Sequence, residues 1–194
     1  MNYVKNLIKV LLIVYCFSLS ACGDKKEVIG DKKEVITAEQ QKLNLADFVE
    51  WPFNEKFNDK TDLEKYVLKK FGKPDSTRKW RAPLGDAYYR EVPADKIQIE
   101  YESYSFEIYR WVYKKKRYEI FKGISIYDHT DLKHGINEKT TIKDIERLFG
   151  KPDSVGNYSY SYLYTTDKYS YHFDIVFIGG KLTNLSIRIN IVPF

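Results

Sequence analysis

Histidine and acidic side chains are the residues that could do chemistry in this chain, and they come closest together in one short segment. Asp128-His-Thr-Asp-Leu-Lys-His134 contains two histidines and two aspartates, which are side chains that bind divalent metal ions. Their spacing matches no pattern that would fix the geometry of a metal site, and a solvated linker can have the same composition. We therefore predict neither a metal site nor another cofactor.

Catalytic nucleophiles usually stand in recognisable motifs, and the sequence contains none of the common ones. It lacks a Gly-x-Ser-x-Gly turn, a phosphate-binding loop and a His-Glu-x-x-His pair. We predict no catalytic residues and no enzyme activity. The alternative is an envelope hydrolase that uses two carboxylates in a cleft, because such a pair leaves no sequence motif.

The first 22 residues have the pattern of a secretory signal peptide. Lys5 and Lys9 precede an apolar run at residues 10–17, which is shorter than the roughly 20 residues that a membrane span needs. The following Leu19-Ser-Ala-Cys22 resembles the lipobox of bacterial lipoproteins. That resemblance implies cleavage after residue 21 and acyl chains on Cys22, which would anchor the mature protein in a lipid bilayer at about 0.8 kcal/mol per buried methylene.

Charge and cysteine content narrow the possible functions of the exported part. Without residues 1–21, Lys and Arg number 30 against 27 Asp and Glu, a formal charge of +3. This excess is too small to predict nucleic-acid binding. Cys16 would leave with the signal peptide and Cys22 would carry lipid, so the folded part would contain no thiolate site and no disulfide.

Two repeats organise the rest of the chain. Gly-Asp-Lys-Lys-Glu-Val-Ile occurs twice in succession at residues 23–36, and this charged duplication predicts a flexible tether over residues 22–48. Segments 62–76 and 140–154 both end in Phe-Gly-Lys-Pro-Asp-Ser and both have the apolar spacing of a short helix. Capping is expected at Thr61 and Thr141, and a left-handed glycine is expected at Gly72 and Gly150.

Alternating apolar and polar residues predict antiparallel strands after each helix. In the second half, Tyr residues alternate at 158–164, and two strands flank a tight turn at Gly179-Gly180. In the first half, inward-facing residues are predicted in three runs that surround a hairpin turn at 114–117: Ile97, Ile99 and Tyr101; Phe106, Ile108 and Val112; Ile120, Ile124 and Ile126.

The Gly-x-Pro-Asp turn after a short helix and the closing Gly179-Gly-Lys-Leu-Thr-Asn184 hairpin resemble the SmpA/OmlA/BamE family of small envelope lipoproteins. Two copies in one chain are similar to the tandem arrangement of β-lactamase inhibitory protein. The resemblance implies an α+β fold of two tandem helix-plus-antiparallel-meander repeats, at residues 49–130 and 131–194. The repeats would form one sheet with the helices on one face. It also implies binding of protein on the other face and no catalysis.

Side chains that alternate with the inward-facing residues of a strand point to the other face of the sheet, and aromatic side chains there predict where a partner would bind. If Phe106 and Ile108 face the helices, an aromatic group faces outward: Tyr109, Trp111, Tyr113, Phe121 and Tyr127. Tyr and Trp are enriched at protein interfaces. The alternative is that these residues are covered by the chain itself, for example by residues 38–53, and complete the core.

Together these features predict a membrane-anchored lipoprotein of the bacterial cell envelope that binds an envelope protein, with the role of an assembly accessory as one form of this binding. The outer membrane is preferred over the inner membrane as its location. An inhibitor or immunity protein that blocks a secreted enzyme is the alternative within the class of binding proteins.

Replacement of the lipidated residue tests the anchoring. Cys22→Ala removes the sulfur that would carry the acyl chains, and we expect the protein to move from the membrane pellet to the soluble fraction after ultracentrifugation. Continued sedimentation of the variant with membranes would contradict lipidation at this position.

Overall fold

The computed structural model describes residues 36–54, 62–86, 89–130 and 132–191. Cys22, the predicted signal peptide and most of the predicted tether lie outside these ranges. The helices of the described chain are α1 (Ala38–Glu50), α2 (Leu63–Phe71) and α3 (Ile142–Phe149), with a 3₁₀ turn at Lys133–Gly135. Its strands are β1 (Ser76–Pro83), β2 (Pro93–Glu100), β3 (Tyr104–Tyr113), β4 (Lys116–Ile126), β5 (Ser154–Val155), β6 (Ser159–Thr165), β7 (Tyr169–Ile178) and β8 (Lys181–Ile191).

All eight strands belong to one antiparallel sheet with the order β1-β2-β3-β4-β8-β7-β6-β5. The central pair β4–β8 joins the first four strands to the last four over four residue pairs, from Gly123↔Arg188 to Ile126↔Leu185. Within the described residues no helix is long and apolar enough to cross a membrane.

The predicted organisation into two helix-plus-meander repeats is wrong. The described chain is a strand-rich mixture of one continuous eight-stranded sheet and three short helices, and its main core cluster includes residues of both halves, from Leu45 to Ile189. Strands β4 and β8 supply each other's backbone partners at the centre, so neither half forms a separate sheet. In both places the Phe-Gly-Lys-Pro-Asp-Ser segment joins the end of a short helix to the start of a strand.

Helix α1 occupies a segment that the sequence analysis predicted as tether, so the prediction of a flexible tether is wrong for residues 38–48. The Thr37 hydroxyl caps the helix by accepting a hydrogen bond from Gln40 N at 3.2 Å. Its Phe48 and Val49 are completely buried. Burial of this apolar side against the sheet is favourable enough to hold a helix whose other positions are mostly polar and exposed.

Helices α2 and α3 begin and end largely as predicted. Thr141 and Asp144 form a capping box at the start of α3. The N-cap of α2 is Asp62, and the predicted cap, Thr61, lies outside the described residues. Gly72 and Gly150 follow the two helices with φ of 79° and 80°, but their ψ values of −148° and −166° are extended. The helices therefore stop in a backbone region that only glycine occupies readily, instead of the left-handed helical region that was predicted.

The helices and one face of the sheet enclose an aromatic core. Phe48, Phe106 and Phe173 are completely buried, and the ring of Trp51 stacks on that of Phe121 with 5.1 Å between centroids. The aromatic side chains of the segment that follows α1 thus fill the space between α2 and the sheet.

Substitution of Gly150 tests the account of how α3 ends. Gly150→Val should lower the free energy of unfolding by about 1–3 kcal/mol because a side chain is strained at this φ. A Cβ would also stand 3.0 Å from Oε1 of Gln41, whereas one at Gly72 would meet nothing within 4 Å at nearly the same φ. Urea unfolding of Gly72→Val is therefore the control for backbone strain alone, and a neutral Gly150→Val would contradict this explanation.

Candidate binding face

Three of the predicted partner-binding residues, Tyr109, Trp111 and Tyr113, lie in strand β3 on the face away from the helices, but the first two are buried there and Tyr113 is partly buried. The exposed fraction of Tyr109 is 7% and that of Trp111 is 5%. The covering chain is the β1–β2 connection (residues 84–86 and 89–92). Its Leu84, Tyr89 and Val92 pack with Tyr109 and Trp111 in a second buried cluster, separate from the main core. The alternative that the chain covers its own aromatic residues is correct, although residues 38–53 are not the cover.

The remaining two predicted residues lie elsewhere. Phe121 faces the helices because the register of β3 and β4 shifts between Glu107 and Ile108, which brings Phe121 opposite the buried Ile108. Tyr127 is 50% exposed, beyond the end of β4. The predicted exposed aromatic patch is therefore wrong: most of its members are core residues.

The same parity argument also failed for two other residues. Ile120 packs with the second cluster instead of the helix side, because it precedes the register shift. Val112 shares the face of the buried Ile108, as predicted, yet its side chain is 64% exposed near the end of the hairpin. An unpredicted extra residue in one strand reverses the faces of all positions beyond it.

An ion pair and aromatic contacts fasten the β1–β2 connection to the sheet. Lys122 Nζ lies 2.9 Å from Asp86 Oδ1 and 2.9 Å from Asn190 Oδ1, and both charged side chains of this pair are largely buried. The ring of Tyr89, in the connection, packs edge-on against that of Tyr113 in β3, with 5.1 Å between centroids. Burial, with a further contribution from the hydrogen bond to Glu107, raises the pKa of Tyr109, so its phenol stays protonated.

Beyond this covered region, the face away from the helices carries two neighbouring rows of polar side chains. The strand registers place one row across six strands and a second row beside it. The first row is Arg78, Gln98, Glu107, Gly123, Arg188 and His172, and the second is Ser76, Glu100, Ser105, Ser125, Ser186, Asp174 and Ser161. No described helix contributes to the lining of this region, which we call the open face.

A groove of about 480 Å³ crosses the middle of the open face, with Trp80 and Arg78 at one side and Arg188 at the other. Gly123 stands at its centre, between Glu107 on β3 and Arg188 on β8. Because glycine has no side chain, the row is interrupted there and the floor of the groove is backbone. Ser125 and Ser186, directly opposite each other in the neighbouring row, keep the floor low.

Hydrogen bonds fix the charged groups around the groove. Asp174 accepts from the Ser161 hydroxyl at 2.6 Å and from Arg188 Nη2 at 3.0 Å. Glu100 accepts in the same way from the side chains of Gln98 and Ser105. The Arg78 guanidinium stacks over the Trp80 ring at 5.2 Å. This arrangement presents donors and acceptors in fixed positions, which suits non-covalent recognition of a polar surface.

The sequence analysis missed the residues at both the side and the centre of the groove. Arg78 and Trp80 belong to β1, an edge strand whose residues 76–79 and 81 are all charged or polar and in which no residue is buried. Apolar and polar residues therefore do not alternate in β1, and alternation is the pattern from which strands are predicted. Gly123 did have a signal, since a glycine inside a predicted strand often marks a close approach of a ligand or another chain.

The histidines that were considered as metal ligands are used otherwise. His129 is 6% exposed, and burial lowers its pKa and favours the neutral ring. His134 Nε2 lies 3.3 Å from Asp47 Oδ2, on α1. Within the ranges that the structure describes, which omit Asp131, no three His, Cys, Asp or Glu side chains are grouped to hold a metal ion.

Comparison of the chain with protein-family models, with curated proteins and with solved structures finds no match.

Truncation of Trp111 distinguishes a core residue from an exposed contact residue. Trp111→Ala should lower the free energy of unfolding by about 3–5 kcal/mol because it removes a buried ring from the second cluster. Tyr127→Ala is the control, since half of that side chain is exposed and a change within about 0.5 kcal/mol is expected. Equal effects of the two substitutions in urea unfolding would contradict the covered position of Trp111.

Proposed function

We propose that this chain is a membrane-anchored lipoprotein of the bacterial cell envelope that binds another envelope protein without catalysis. The binding surface is the open face, and the observation that carries the proposal is its groove. A polar depression of about 480 Å³ lies on a sheet whose other face packs against the helices. A rigid sheet holds its side chains more precisely than loops do.

The composition of the groove supports a protein as the ligand. Arg and Trp are among the side chains most enriched at the energetic centres of protein interfaces, and Arg78, Trp80 and Arg188 stand at its two sides. The gap over Gly123 has room for one protruding side chain of a partner. Glu107 and Arg188 on either side of the gap offer an acceptor and a donor to its polar end.

Membrane anchoring in this proposal depends on Cys22 and on the lipobox-like residues before it. The resemblance of the Gly-x-Pro-Asp turn and the Gly-Gly-Lys-Leu-Thr-Asn hairpin to the SmpA/OmlA/BamE family supports the same location. An attachment point at residue 22 lies 14 residues before the first described residue, Ile36. That length of chain permits some distance between the bilayer and the sheet.

Filling the groove tests the open face directly. A Cβ at Gly123 would make ordinary contacts of 3.5 and 3.6 Å with the Glu107 side chain, and the backbone there is not in the left-handed region. Gly123→Gln should therefore keep its thermal midpoint within a few degrees of the native value. We expect it to lower the affinity for the partner at least tenfold, because the added side chain occupies the gap.

The matched control is Thr165→Gln, an exposed position on β6 outside the groove. Both variants and the native protein are used to capture partners from detergent-solubilised envelopes, and the affinity for the captured protein is then measured. Capture of a membrane protein supports an assembly accessory, whereas a one-to-one complex with a soluble enzyme supports the inhibitor alternative. Unchanged affinity of Gly123→Gln would exclude the groove as the binding site.

A further inference from the structure

We propose that the free edge of β1 binds an acidic, extended segment of the partner protein, which adds to the sheet as a ninth strand. This inference rests on the proposed protein-binding function and names the chemistry of the partner. It concerns the edge beside the groove and does not require that the groove itself be filled.

Strand β1 is a long edge. It contains eight residues, pairs with β2 on one side, and ends the strand order of the described sheet. An unpaired edge of this length presents a row of backbone donors and acceptors that another strand can use.

The register shows which backbone groups face outward. Leu84 N donates to Val92 O at 2.8 Å, in the same register as the β1–β2 ladder. Because hydrogen-bonded and free pairs alternate in antiparallel strands, the even-numbered residues of β1 bond to β2. The N–H and C=O groups of Thr77, Lys79 and Arg81 therefore point to the open side. Pro83 takes the next outward position, where proline removes no bond to β2.

The charge of the edge selects the partner. Arg78, Lys79 and Arg81 are all in β1, which contains no acidic residue. A second copy of this chain pairing along the same edge would bring these cations together, which is unfavourable. Lys79 and Arg81 contact Glu64 and Asp95, but their side chains stay 57% and 68% exposed. A strand with acidic side chains is therefore the complementary occupant.

The opposite edge of the sheet differs in a way that favours β1. There, Asp153 closes part of β6: its backbone N donates to Ser161 O at 2.9 Å, and its Oδ2 accepts from Leu163 N at 2.6 Å. Strand β5 pairs with Ser161 and Tyr160 of β6. The backbone groups of β6 are thus largely occupied from within the chain, whereas those of Thr77, Lys79 and Arg81 face outward.

Position also links the edge to the groove. Arg78 and Trp80 lie in β1 and at the same time line one side of the groove. A strand added to β1 would set its outer-face side chains against these two residues. An acidic side chain at that point would approach the Arg78 guanidinium, which is already oriented by its stacking on Trp80.

A pair of blocked eight-residue peptides tests this inference on the full-length chain in detergent. One peptide alternates glutamate with threonine and the other alternates lysine with threonine. We expect the glutamate peptide to bind, with an affinity that falls as salt increases, and the lysine peptide not to bind. Bound glutamate peptide should slow hydrogen exchange at the amides of Thr77, Lys79 and Arg81.

The variant Thr77→Pro removes one outward N–H and leaves all three cations of β1 in place, so it separates strand addition from charge attraction. It should weaken binding of the glutamate peptide at least tenfold, while Gly123→Gln should leave it unchanged. A glutamate peptide N-methylated at alternate residues gives the same comparison with the native protein, in case Thr77→Pro fails to fold.

Equal binding of the methylated and unmethylated glutamate peptides, or unchanged hydrogen exchange at the amides of Thr77, Lys79 and Arg81, would overturn the inference. If Gly123→Gln loses partner capture while Thr77→Pro retains it, the proposed function stands, but the partner does not use the edge of β1 and this inference is wrong.

Discussion

One-sided burial of a single sheet is the constraint on which the rest of this structure depends. Helices α1, α2 and α3 contribute Phe48, Val67 and Ile145 to the same core, and all three side chains are completely buried. Because every described helix packs on one face, the other face keeps its polar rows in solvent, and its middle stays open.

The short seam between β4 and β8 makes this one-sided arrangement possible. Only four residue pairs join the two strands, but Ile124 and Ile187 face each other there within the core. The same seam puts Gly123 opposite Arg188 on the other face. The centre of the core and the floor of the groove are thus two sides of one set of backbone hydrogen bonds, which makes the groove as rigid as the core behind it.

The covered aromatic cluster changes what the outer face can do. If Tyr109 and Trp111 had been exposed, the face would carry an apolar patch suited to a hydrophobic partner. Since the β1–β2 connection closes over them, the groove is lined mainly by hydroxyl, carboxylate, amide and guanidinium groups together with Trp80. Recognition on such a surface depends more on charge and hydrogen-bond geometry than on buried apolar area.

The sequence by itself determined the local elements of this protein. The capping box at Thr141, the positive φ of Gly150 and the hairpin turn at Gly179-Gly180 all follow from residues within a few positions of each other, where the relevant hydrogen bonds form. It did not predict β1, whose charged residues form a strand only because β2 pairs with them. Tertiary structure alone decided that Phe121 faces the core and that Trp111 is covered. The physical reason is that a single register shift reverses the faces of a strand, and burial depends on chain segments that are distant in sequence.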